Sequence, residues 1–69
     1  MVIFQLKNLL KQQHLSQNEF ARMTGIRPNT INDIANNKMR RIEVVTLNKI
    51  LKAIIMLGYT VSDLIEYKE

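Results

Sequence analysis

The chain has no cysteine, so disulfides and thiolate metal sites are both excluded, and its single histidine, His14, cannot make a metal site alone. Packing must hold the fold. Catalytic constellations are missing too: no nucleophile with a base, paired acids or metal cluster can be assembled from the residues present, so an enzyme is the weakest reading and no cofactor is implied. No apolar run approaches the roughly 20 residues of a membrane span. The N-terminus also lacks the basic-then-apolar order of a signal peptide, which predicts a cytoplasmic location with no membrane partner.

What is present is a short, basic, moderately apolar chain. Its 69 residues are 46% hydrophobic and 23% charged, with two glycines and one proline, which fits one compact domain over residues 1–69. Such a chain buries only about 60% of its unfolded surface, so the core is thin and a partner subunit would help to stabilise it. The net charge of +4 is placed unevenly. Residues 22–41 hold Arg22, Arg27, Lys38, Arg40 and Arg41 against Asp33 alone, while the remainder is balanced. That block suits a polyanionic partner, although a small basic domain can equally be just soluble.

Ile3, Leu6, Leu9 and Leu10 recur at helical spacing, with Gln5, Lys7, Asn8 and Lys11–Gln13 on the other face. A first helix from about Phe4 is expected, the alternation of Val2, Phe4 and Leu6 leaving a short leading strand as the alternative. His14 falls at the helix end, where an exposed capping role is the expectation. Ser16 and Glu19 then form an S-x-x-E capping box, with Leu15 and Phe20 placed as its hydrophobic staple. The second helix therefore begins at Gln17. Phe20, Ala21 and Met23 form its apolar face, and Gly25 can take the left-handed conformation that stops it after about two turns.

A third helix follows from a second staple, Ile26 with Ile31, around Pro28, whose fixed φ and missing N–H suit the first helical position. Arg27 occupies the cap. An arginine side chain accepts no hydrogen bond, so the N-terminal donors of this helix stay free and an anion can fill the vacancy. With Ile31, Ile34 and Ala35 facing inward, Asn29, Asn32, Asp33 and Asn36 share the opposite face. Asparagine pairs bidentately with adenine N6 and N7, and aspartate accepts from cytosine N4, so this face suits major-groove reading. A merely wet surface would favour lysine or glutamate, which are better helix formers.

Asn37 is placed to end the third helix in left-handed geometry. Lys38, Met39, Arg40 and Arg41 make a basic loop before a fourth helix from about Val44 to Leu57, whose core stripe is Val44, Leu47, Ile50, Leu51 and Ile54. Ile54, Ile55, Met56 and Leu57 form an apolar excess near its end, either core or the contact of a homodimer. Gly58 is the expected stop. Ser62 can cap a short last helix carrying Leu64 and Ile65 with Val61 as anchor, and the tail from Glu66 is expected to fray.

The segments LSQNEFARMTGIRPNTINDIANNKMRRI, TLNKILKAI and SDLIEY together resemble the Cro and phage-repressor (XRE) helix-turn-helix family over nearly the whole chain. The resemblance rests on the S-Q start of the second helix, Ala21, Gly25, the Ile31 and Ile34 pair, N-x-K after the third helix, and T-L-x-K-I. It implies an all-α five-helix domain, often homodimeric, with Asn29, Asn32 and Asp33 at base-reading positions. Gln17, Thr30, Asn36, Lys38, Arg40 and Arg41 match positions that usually touch phosphates, and Arg27 joins them as the uncapped start of the third helix. Asn37 stands where glycine is usual, Arg27 where serine or threonine is, and KAIIMLGYTVSDL is longer than the usual link to the last helix.

The expected function is sequence-specific binding of double-stranded DNA by a small transcription regulator, with repression by operator occupancy favoured. An antitoxin-like role, or a helical interaction module whose main business is a partner protein, fits the same residues.

Overall fold

The computed structural model describes residues 1–69, in the order β1 (Val2–Phe4), α1 (Leu6–Gln12), α2 (Gln17–Thr24), α3 (Pro28–Ala35), α4 (Val44–Met56), α5 (Val61–Leu64) and β2 (Ile65–Tyr67). The five helices appear as expected, and a small two-stranded sheet is added to them. The expectation of a purely α fold is corrected accordingly. β1 and β2 are antiparallel, with Val2 opposite Tyr67, Ile3 opposite Glu66 and Phe4 opposite Ile65. So the first helix does not begin at Phe4, and the tail from Glu66 is paired rather than frayed.

The ribbon forms because β-branched and aromatic side chains lie at both ends of the chain, where each strand supplies the other with hydrogen-bonding partners. Phe4 and Ile65 share one face of it and both pack against the core. That core is built from Leu6, Leu9 and Leu10 of α1, Phe20 and Ala21 of α2, Ile31 and Ile34 of α3, Ile50 and Ile54 of α4, and Leu64 of α5, together with Ile26 and Ala53. No charged or polar residue is buried within it.

Two of the expected inward positions face water instead. Val44 is 72% exposed and Met23 51% exposed, so the core stripe of α4 narrows to Ile50, Ala53 and Ile54, with Leu47 and Leu51 packed at its margin. Val44 sits at the first position of α4, before that helix has reached the core. The last helix starts differently from expectation as well: Thr60, not Ser62, occupies its cap, and the Asp63 carboxylate accepts from the Thr60 N–H at 2.8 Å and from its hydroxyl at 3.0 Å.

The long link between α4 and α5 is clamped to α1. Tyr59 donates its hydroxyl to Gln12 Oε1 at 3.0 Å and accepts from Gln13 Nε2 at 3.0 Å, while Gly58 turns the chain at φ 95°. His14 ends α1 at φ 54° and is exposed.

Candidate nucleic-acid interface

α2 begins with a complete capping box. Glu19 N–H donates to Ser16 Oγ at 3.0 Å, and the Glu19 carboxylate accepts from Ser16 N–H at 3.1 Å. The backbone N–H of Ser16, then its hydroxyl, hold the Glu19 carboxyl below its ordinary value. At the other end Gly25, at φ 73°, turns the chain in the left-handed region, and Thr24 braces the turn by donating to Phe20 O at 2.9 Å while accepting from Ile26 N–H at 3.3 Å. A rigid α2 and turn thereby fix the direction in which α3 leaves.

α3 begins without a side-chain cap. Arg27 is extended at φ −63° and ψ 140°, Pro28 occupies the first turn, and Ile31 N–H is bonded to Arg27 O at 3.1 Å. Pro28 has no N–H to offer, so the amides of Asn29 and Thr30 are the donors this start leaves open. They carry the partial positive charge of the helix terminus, and Arg27 adds a full one beside them.

The outward face of α3 carries exposed Asn29, Asn32 and Asn36, with Asp33 half-buried. These side chains are not equivalent. Asn32 donates to Gln17 Oε1 at 3.0 Å and accepts at Oδ1 from Asn36 Nδ2, which lies 3.3 Å away and also 3.0 Å from Asn32 O. Lys7 then reaches Asn36 Oδ1 at 3.4 Å. A chain of amides therefore runs from the first residue of α2, across α3, to α1. Asn29 stands outside it, with its amide uncommitted.

The basic loop is anchored at intervals: Met39 and Ile42 pack against the core, and exposed Lys38, Arg40 and Arg41 project between and beside those anchors. Half-buried Thr30 lies near Arg41, the two lining a shallow hollow with Met39, Ile42, Glu43 and Thr46. Lys7 is the residue that the sequence assigned only to a polar helix face. No local signal marks it, because its contact with Asn36 spans 29 positions.

The model of the Cro/C1-type HTH DNA-binding domain matches residues 5–69. The chain belongs to this family. No curated protein matches it. In this Cro/C1-type domain α2 and α3 are the helix-turn-helix, and membership makes double-stranded DNA its partner. The Cro/C1-type domain has no helix long and apolar enough to cross a membrane.

Proposed function

We propose that the protein is a cytoplasmic, non-enzymatic transcription repressor that occupies an operator sequence with α3 in the major groove. The observation that carries this reading is the contrast at α3: a start with no side-chain cap, beside the Arg27 charge and an exposed amide face, in a chain where the neighbouring helix start carries a capping box. In this reading Asn29 and Asp33 contact base edges directly. Asn32 does so from a side chain pre-oriented by Gln17 and Asn36, exchanging one of those hydrogen bonds for a base. Gln17, Arg27, Thr30, Asn36, Lys38, Arg40 and Arg41 meet phosphates, which fix register without reading sequence.

Selection of bound sequences from random duplex DNA tests the assignment. The preferred site contains A·T pairs whose identity is lost in Asn29→Ala and Asn32→Ala, at about 1–3 kcal/mol for each good bidentate contact. If both variants keep the wild-type preferences, the base-reading face is wrong. Neutralising Lys38, Arg40 or Arg41 weakens all duplexes alike, and each lost contact reduces the slope of log affinity against log salt by roughly 1. An unchanged slope removes that residue from the interface.

Operator reading by so small a domain is strengthened by two-fold symmetry, and a homodimer through the C-terminal half is part of the proposal. Of the four residues expected there, Ile54 is fully buried inside the chain and Leu57 half-buried, leaving Ile55 and Met56 exposed. Ile55 continues an uncharged stripe with Val44, Asn48 and Leu51 at helical spacing along α4. Two such stripes packed antiparallel about a two-fold axis set Val44 against Ile55 and Asn48 against Leu51 at both ends. Sedimentation should show Ile55→Glu as a monomer; a wild-type chain that is already monomeric at high concentration rules the dimer out.

A further inference from the structure

Met56 is turned by about 100° from Ile55 around the α4 axis and belongs to a different stripe, formed by Val45, Lys49, Lys52 and Met56. Its C-terminal half borders an open groove of about 650 Å³ between the ends of α2 and α4. Met23, Thr24, Met56 and Leu57 line the groove with Lys49 and Lys52. Met23 is 51% and Met56 79% exposed, although both are unbranched apolar side chains that adapt readily to a partner's shape. Residues 44–57 contain these two lysines and no acidic residue.

The charge decides what can cover this groove. A second copy packed antiparallel on the same stripe would set Lys49 against the partner's Lys52 twice over, and like charges so placed repel. A DNA phosphate backbone suits the lysines but not the methionine walls. The groove also lies at the C-terminal end of the eight-residue α2, about 10 Å along the helix from Gln17, which begins the amide chain across α3. We propose that it docks an acidic amphipathic segment of a partner protein, with apolar side chains seated between Met23 and Met56 and carboxylates on Lys49 and Lys52. This is the helix-in-groove mode, with charge setting partner choice. The proposal does not depend on which bases α3 reads, and its position leaves the chain free to hold DNA and partner together.

The test uses the full chain and a synthetic amphipathic helix with leucine on one face and glutamate on the other, beside the same peptide with lysine for every glutamate. Titration followed by backbone amide NMR should give saturable shifts at Met23, Thr24, Met56 and Leu57 with the acidic peptide only. The double variant Lys49→Glu/Lys52→Glu should reverse the preference between the two peptides, by roughly tenfold or more in affinity ratio. Its duplex affinity, measured at a salt concentration that screens the fall in net charge from +4 to 0, should stay within roughly twofold of wild type, since on this proposal neither side chain touches DNA. Shifts centred on Lys38–Arg41, or an unchanged preference in the double variant, would mean diffuse attraction to a basic protein and overturn the proposal. A loss of duplex affinity in that variant would make the groove a DNA surface. Conversion of a dimer to a monomer by Met56→Glu would give the groove to a second copy. Either result overturns the assignment, while a failed base-reading experiment leaves it standing.

Discussion

The two ends of α3 are treated in opposite ways. At its start Arg27 offers no acceptor, and the Asn29 and Thr30 amides make no hydrogen bond within the chain. Its end is closed several times over: Asn36 N–H returns to Asn32 O at 3.0 Å, Asn37 N–H to Ile34 O at 3.1 Å and Lys38 N–H to Asp33 O at 2.8 Å. Asn37 then extends the closure into the rest of the molecule, since its Oδ1 accepts from Phe4 N–H at 2.7 Å and its Nδ2 donates to Phe4 O at 3.1 Å. One side chain thus stands in for a third strand along β1. Polar groups are satisfied internally where α3 meets its own domain and left open where a ligand can approach.

The closed end gives the largest expected change. Asn37 sits at φ 57°, which asparagine tolerates better than other residues with a Cβ. Asn37→Ala removes both bonds to Phe4 and adds backbone strain, for a loss of about 2 kcal/mol in this exposed setting. Asn37→Gly removes the same bonds without the strain, so about 1 kcal/mol is expected. Urea unfolding of the pair separates the two contributions. Equal losses would show that the left-handed backbone costs alanine nothing, and no loss in glycine would dismiss the bonds to Phe4.

The open end predicts a change of opposite sign in stability and in binding. Arg27→Asp supplies the missing acceptor and places a negative charge at the positive end of the helix, stabilising the fold by about 1 kcal/mol. It also sets that charge against phosphates, and duplex affinity should fall by roughly tenfold or more at low salt. Thermal unfolding and titration on one sample check both. A variant that gains stability and keeps its affinity would mean that the open start has no part in binding.

Why the helix-turn-helix was legible and the ribbon only in part follows from the range of the signals. Ser16 with Glu19, Gly25 and Pro28 act within a few residues of where they stand, so the limits of α2 and α3 follow from local chemistry. The left-handed end at Asn37 was readable for the same reason. The alternation of Val2, Phe4 and Leu6 leaves β1 open as an alternative, but its partner Ile65–Tyr67 is a strand only through pairing with the opposite end of the chain. In α4 the difficulty is one of surplus: apolar residues lie on several sides of the helix, so periodicity alone could not separate inward Ala53 from outward Val44. The amide face of α3 was visible in its spacing. The commitment of Asn32 to Gln17 was not, because that contact joins two helices across 15 positions.

The capped start of α2 supplies the control for the open start of α3. Ser16→Ala removes the hydroxyl that accepts from Glu19 N–H and should cost about 1 kcal/mol in urea or thermal unfolding. Its effect on duplex affinity should be small once folding is complete, because the exposed Ser16 hydroxyl is already engaged within the chain. An affinity loss as large as that of Arg27→Asp would erase the distinction between the two helix starts.

The smallest effect is a titration. In the folded chain the Glu19 carboxyl lies below its ordinary value of 4.5, held there first by the Ser16 backbone N–H and then by the Ser16 hydroxyl. A carboxyl depressed by folding contributes stability that is present above its unfolded value and lost as pH falls through the folded one. Stability should therefore decline on acidification from about pH 4.5 downward, with Glu19 contributing to the slope. Glu19→Gln keeps an acceptor for Ser16 N–H but cannot titrate there, so its slope should be shallower. The wild type should be the more stable at neutral pH, and the two curves should converge in acid. Arg27 provides no counterpart, since its cap has no carboxylate to protonate. Unfolding curves measured from neutral pH into that acid range decide the matter: parallel curves for wild type and Glu19→Gln would show that the capping box works through hydrogen bonding alone, with no part played by the ionisation of Glu19.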